Sequence, residues 1–93
     1  MFVSVCRLEL YLPGCASLKD KRALLRSLLD RLRRKNNLAV AEVEGQDLWQ
    51  RSVLGLANVN SRKQGAEEAM AKVVRCIERE EDMEVISYEL EVL

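Results

Sequence analysis

Residues 2–11, FVSVCRLELY, alternate in character residue by residue, with Phe2, Cys6, Leu8 and Leu10 on one side and Val3, Val5, Arg7, Glu9 and Tyr11 on the other. That period of two predicts a strand with one face turned to a core. Leu12-Pro13-Gly14 ends it. The same period returns at residues 84–93, where Ile86, Tyr88, Leu90 and Val92 oppose Val85, Ser87, Glu89 and Glu91. A strand at each end of a 93-residue chain leaves room for one domain with one core between them.

Between those strands the period changes twice. Ser17 followed by Asp20 reads as a capping box with Asp in place of Glu or Gln, and it opens a helix. At about 100° per residue, Leu18, Leu24, Leu25, Leu28, Leu29 and Leu32 fall in one apolar sector, and Asn36-Asn37 stops the pattern. Leu38 to Glu44 is strand-like. Gly45 begins a connection through Gln46-Asp47-Leu48-Trp49-Gln50-Arg51 to a third strand at Ser52 to Val59, so the pair reads as a hairpin. Ser61 with Gln64 predicts a second capping box, Ala66, Ala69, Met70, Val73, Val74 and Ile77 form the stripe of a second helix, and Glu68 and Lys72 are placed to pair on its outer side.

The order βαββαβ predicts an α+β, ferredoxin-like sandwich. Its four-stranded antiparallel sheet has the order 4-1-3-2, with both crossovers right-handed and both helices on one face. The uncovered face then presents Val3, Val5, Tyr11, Val53, Ala57 and Val59. An apolar patch of that kind calls for a partner, and a homodimer through the open sheet face is the simplest one.

Fifteen basic and fifteen acidic residues make the chain neutral, yet Ser17 to Lys35 holds eight cations against Asp20 and Asp30. On the helical wheel Lys19, Arg22, Arg26 and Arg33 form a stripe beside the apolar sector, the arrangement that faces several cations to a phosphate backbone at once. The same residues also fit a solvated face that pairs with the acidic stretch Glu78, Glu80, Glu81, Asp82 and Glu84. Lys21 falls inside the apolar sector near the helix start, where it either snorkels or is aimed at an anion beside the Gly14 loop.

The tract from Gln46 to Arg51 is the second candidate site. It concentrates Gln46, Asp47, the single tryptophan Trp49, Gln50 and Arg51 on a hairpin tip. Trp49 is there an interface anchor or a stacking platform clamped by Arg51, or it folds back over the end of the core while Asp47 and Gln46 satisfy turn amides. Sheet-face RNA recognition needs aromatic residues on the central strands, and the third strand is aliphatic at those positions. RNA contact is therefore expected on the helix.

No catalytic residue is assigned: the chain has no histidine, no nucleophile elbow and no phosphate-cradling loop. Gly14, Lys21, Arg22, Asn58 and Asn60 give a faint echo of acylphosphatase, without its Gly-rich loop and arginine. Cys6, Cys15 and Cys76 lack disulfide or zinc spacing and read as reduced thiols; Cys15 precedes a helix start, a place where a thiol can be sharpened. No cofactor and no metal are expected. The N-terminal apolar stretch, broken by Arg7 and Glu9, reads as neither a signal peptide nor a membrane span, and the expected compartment is the cytoplasm.

P-G-x-x-S-L-K-D-K-R at Pro13 to Arg22, A-E-V at Ala41 to Val43 and Q-D-L-W-Q-R-x-x-L-G at Gln46 to Gly55 resemble the YlxP-like family, small bacterial proteins of unknown function. The resemblance covers essentially the whole chain and implies the ferredoxin-like fold. It also implies a ribosome-linked role, since members often lie beside genes for translation initiation and ribosome maturation factors. Gly45 stands where many relatives have His. The reading is a cytoplasmic, non-enzymatic protein that binds structured RNA or the ribosome through the helix stripe, with a homodimeric protein-interaction module as its rival.

Overall fold

The computed structural model describes residues 1–93. β1 (Phe2–Tyr11), α1 (Leu18–Lys35), β2 (Ala39–Glu44), β3 (Arg51–Asn60), α2 (Lys63–Glu78) and β4 (Glu84–Val92) follow one another in the predicted order. The strands form one antiparallel sheet ordered β2-β3-β1-β4, which is the expected 4-1-3-2 read from the other edge. This is the α+β, ferredoxin-like arrangement.

Register explains the core. Cys6, Leu8 and Leu10 of β1 stand opposite Leu56, Leu54 and Ser52 of β3, so the two central strands turn the same parity inward. Over them lie Leu25, Leu28 and Leu32 of α1 and Met70, Val73, Val74 and Ile77 of α2. Each large side chain buried this way contributes about 1.5–3 kcal/mol. Leu12, Cys15 and Met83 close the end of the core beneath the β1–α1 and α2–β4 connections.

The α1 start is built nearly as its sequence predicts. Ser17 Oγ accepts the Asp20 N–H at 3.0 Å, while Asp20 Oδ2 accepts the N–H of Ala16 at 3.0 Å, one residue earlier than a reciprocal box requires. At α2 the predicted box is absent. The helix begins at Lys63 with Arg62 in the cap position and no side-chain cap bond. Asn60 supplies the turn instead, accepting the Arg62 N–H at 3.0 Å, and Gln64 donates to Glu68, which forms no ion pair with Lys72.

Two bulges shift parity at the sheet edges. Between Glu9 and Leu10 the β4 register slips, so Leu10 faces Val85, Glu9 faces Ser87 and Ile86 is the extra residue. A slip of one residue exchanges faces. Val85, not Ile86, therefore packs on the core, and Ile86 is exposed. In β2 the slip between Glu42 and Glu44 makes Val43 the extra residue, with Glu42 opposite Leu54 on the core side. That placement brings a carboxylate under α1.

Candidate interaction surface

Lys21 lies on the buried side of α1 and is only 1% exposed. An ammonium there must satisfy three donors or suffer a large desolvation penalty. It has three acceptors: Gly45 O at 2.5 Å, Leu48 O at 2.7 Å and Glu42 Oε2 at 2.8 Å. Glu42 Oε2 also accepts from the buried Ser52 Oγ at 2.7 Å. Lys21 therefore neither snorkels nor offers a proton to an outside anion; of the five cations expected to contact nucleic acid, Lys19, Lys21, Arg22, Arg26 and Arg33, it is the one the geometry removes. It is a clamp that ties α1, β2, β3 and the 45–50 connection together.

The connection is held from its other side as well. Gln50 Nε2 donates to Pro13 O and Cys15 O, each at 3.2 Å, and Leu12 N–H donates to Gln50 O at 2.8 Å. Leu48 N–H closes a turn onto Gly45 O at 3.0 Å, with Gly45 at φ +79°. The two sequence motifs thus meet in space, with Gln50 and Lys21 as their joints. A Cβ at Gly45 would stand 3.4 Å from Arg51 O, and the left-handed backbone disfavours any L side chain. Gly45→Ala is expected to lower stability by about 1–2 kcal/mol, measured by chemical denaturation.

Out of this anchored base rise Leu48 and Trp49, 53% and 54% exposed. Trp49 does not fold back over the core; Leu12, Cys15 and Met83 already fill that end. Gln46 and Asp47 are exposed, and their side chains bond to no turn amide. Arg51 does not clamp Trp49 either. Its Nη1 reaches Glu9 Oε1 at 3.2 Å across the open sheet face.

Lys19, Arg22 and Arg26 are exposed on α1 and enter no ion pair. The expected pairing of α1 with the acidic stretch reduces to one contact, Arg31 with Glu80 on the side facing α2. Arg33, at the far end of the stripe, donates to Val40 O at 2.7 Å and lies 3.8 Å from Asp30. The stripe thus runs down the flank of α1 that faces the free β2 edge. Because Lys21 fastens the 45–50 connection beside the first turns of α1, Lys19 and Arg22 share one end of the molecule with Trp49.

The open face divides in two. Toward Tyr11 it carries the ion pairs Arg7–Glu44, at 2.6 Å, and Arg51–Glu9. Val53 sits in register between Glu9 and Glu44 and is only 8% exposed, so it drops out of the expected patch. Toward the other end Val5, Ala39, Ala41, Gly55 and Ala57 floor a groove of about 750 Å³ that reaches Glu89 and Glu91 on β4. Gly55 lies under Val43, whose Cγ1 would be 2.9 Å from an added Cβ.

The acylphosphatase echo does not converge. Gly14 and Lys21 lie at the β1–α1 end, whereas Asn58, near the far end of β3, donates to Asn37 O. Cys15 is not sharpened by its helix start. Burial pushes its thiol up, Asp20 and Asp82 add to that, and Lys21 only partly opposes them. Cys6 is pushed up by burial alone.

The residues missed from sequence are Glu42 and Ser52. A signal for them existed: Glu42 shares the parity of Val40 on β2, and Lys21 falls in the apolar sector of α1. Two opposite charges, each on a core-facing side, call for one another.

With this geometry in place, the family follows. The model of a family described as a protein of unknown function, DUF503, matches residues 3–90, and the chain belongs to that family. It is 37% identical over 73 residues to the uncharacterized protein YlxP of Bacillus subtilis (strain 168), across 78% of this chain and 77% of that protein. The resemblance read from the Pro13–Arg22 and Gln46–Gly55 motifs is borne out. No helix is long and apolar enough to cross a membrane.

Proposed function

We propose that this protein is a non-enzymatic binder of structured RNA, ribosomal RNA included, and that it grips an unpaired segment between Trp49 and the exposed cations of α1. The observation that carries this is the Lys21 clamp. By bonding Gly45 O and Leu48 O it holds the Trp49 connection against the helix that bears Lys19, Arg22 and Arg26. A half-exposed indole gives a face on which any base stacks, and cations with no carboxylate partner are free to replace phosphate counterions. Unpaired loops and bulges of folded RNA offer both groups at once. The open sheet face is a poor competitor. It carries Glu9, Glu44, Glu89 and Glu91 against Arg7 and Arg51, and Tyr11, its one aromatic residue, is half-buried.

Salt dependence tests the reading. Lys19, Arg22 and Arg26, with Arg33 as a fourth contact, predict a log–log slope of about −2 to −3 for binding a stem closed by an unpaired pyrimidine-rich loop. Fluorescence titration of Trp49 across a salt series measures it. No binding at low salt, or binding indifferent to salt, overturns the proposal.

A further inference from the structure

We infer that the trough on the open sheet face docks a basic amphipathic helix of a partner protein, with the helix's apolar stripe on the floor and two of its lysines or arginines against Glu89 and Glu91. The trough encloses about 750 Å³, and Ala39, Ala41, Gly55 and Ala57 give it a low floor beside Val5. Side chains this small leave depth for the larger ones of an incoming helix. Contiguous apolar surface rimmed by charge is the form of an interaction site.

Charge identifies the occupant. Arg7 stands in register with Glu89, yet its guanidinium reaches the other way, across β3, to Glu44. Arg51 is likewise taken by Glu9. Both arginines of the face are thus matched within it, and Glu89 and Glu91, exposed along the β4 side of the trough, have no cation of their own. RNA is repelled there. A second copy would bring the same unmatched carboxylates, with its α1 cations on the far side of its own sheet. A surface that supplies apolar side chains and cations together is the complement.

Spacing identifies its form. Glu89 and Glu91 are alternate residues of one strand, about 6.7 Å apart, and side chains at i and i+4 of a helix lie about 6 Å apart along its axis. A helix about 10 Å across, laid along β1 and β3, brings one flank over β4 in step with both carboxylates. Its apolar stripe then falls on Val5, Gly55 and Ala57. An added strand is opposed at both edges: the Arg33 guanidinium occupies Val40 O, the Val43 bulge breaks the β2 ladder, and the Ile86 bulge breaks β4. Toward Tyr11 the Arg7–Glu44 and Arg51–Glu9 pairs mark where the apolar contact ends.

The probe is a fluorescein-labelled peptide of about 18 residues, long enough to hold a helix, with a leucine stripe and lysines at i and i+4 on one flank. Anisotropy titration against the full chain at low salt measures its binding. The contact is small, so affinity in the micromolar to sub-millimolar range is expected. The same peptide with glutamates for lysines, or with serines for leucines, is expected to bind at least about tenfold more weakly. Glu89→Gln combined with Glu91→Gln is expected to weaken binding about two- to thirtyfold, the effect of two exposed ion pairs, with an unchanged circular dichroism spectrum. Ala57→Arg, which fills the floor with a like charge, should weaken it at least about tenfold. Glu81→Gln combined with Asp82→Asn, on the acidic α2–β4 connection, should leave it unchanged. No saturable binding of the leucine–lysine peptide up to about 1 mM overturns the inference, as does equal binding of either control peptide. Binding that survives Glu89→Gln/Glu91→Gln, or that is lost instead through Glu81→Gln/Asp82→Asn, overturns it too. A dimer in sedimentation equilibrium that Ala57→Arg abolishes and the peptide does not compete gives the face to a second copy and overturns it as well.

Discussion

Lys21→Ala is expected to lower the unfolding free energy by about 3–5 kcal/mol, the range seen when one partner of a buried ion pair is removed. The substitution takes three donors from the interior: Leu48 O loses its side-chain partner, Gly45 O keeps only the Leu48 N–H, and the partly buried Glu42 carboxylate keeps only the Ser52 hydroxyl. For a domain whose whole stability is about 5–15 kcal/mol, that is enough to leave a measurable unfolded fraction. Urea denaturation followed by far-ultraviolet circular dichroism gives the loss directly. The emission of Trp49, the single tryptophan, reports whether the connection loosens before the core does. Glu42→Leu combined with Lys21→Met should recover part of the loss, since a matched apolar pair replaces a matched ionic one. Leu48 O loses its ammonium donor and Ser52 Oγ its carboxylate acceptor, so recovery should be incomplete. A loss below about 1 kcal/mol for Lys21→Ala would mean that water reaches the ammonium and that the clamp does not hold the loop.

The difference between what was legible and what was not follows from the range of each interaction. β1 and both helices are set by periodicity within single segments, and their faces come out as read: Cys6, Leu8 and Leu10 inward, Leu25, Leu28 and Leu32 under α1. β4 fails at Ile86 because a bulge is created by the pairing of two strands. Nothing within EVISYELEV alone marks the residue that β1 will skip. The Ser61–Gln64 box fails for a related reason. Asn60, still in β3, accepts the Arg62 N–H, and the helix starts one residue later than the box requires, with Arg62 in the cap position.

The site shows the same division. The exposed stripe Lys19, Arg22 and Arg26 is a property of one helix and was readable from its wheel. Lys21 is conspicuous on that wheel, but the wheel points it to an outside anion and not to Glu42, because its partners are 21 to 27 residues away in β2 and the following turn. Trp49 was the harder residue. Local sequence places it on a turn, but whether an indole covers a core or faces water depends on what else fills the core end, here Leu12, Cys15 and Met83. The Gln50 bonds to Pro13 O and Cys15 O explain why Pro13–Arg22 and Gln46–Gly55 belong together, although the rest of α1 and all of β2 lie between them in the chain.

Trp49→Ala and the double reversal Arg22→Glu/Arg26→Glu are expected to damage RNA binding in two distinguishable ways. The indole contributes a stack whose loss by alanine substitution is about 1–3 kcal/mol, a fall of roughly five- to 150-fold in affinity, with the salt slope unchanged. The reversal removes two phosphate contacts and adds repulsion, so the slope should shrink by about 1.5–2, and the deficit should be greatest at low salt. Neither change touches a buried group, and stability should stay within about 0.5 kcal/mol of the parent protein. That separates these variants from Lys21→Ala, which should lose binding through the loop it releases. A double-mutant cycle carries the argument one step further. If one RNA segment stacks on Trp49 and runs along α1, the two losses should couple by at least about 0.5 kcal/mol; independent surfaces should give additive losses. Strict additivity, or a Trp49→Ala variant that binds like the parent, would detach the tryptophan from the RNA site and leave the helix stripe to act alone.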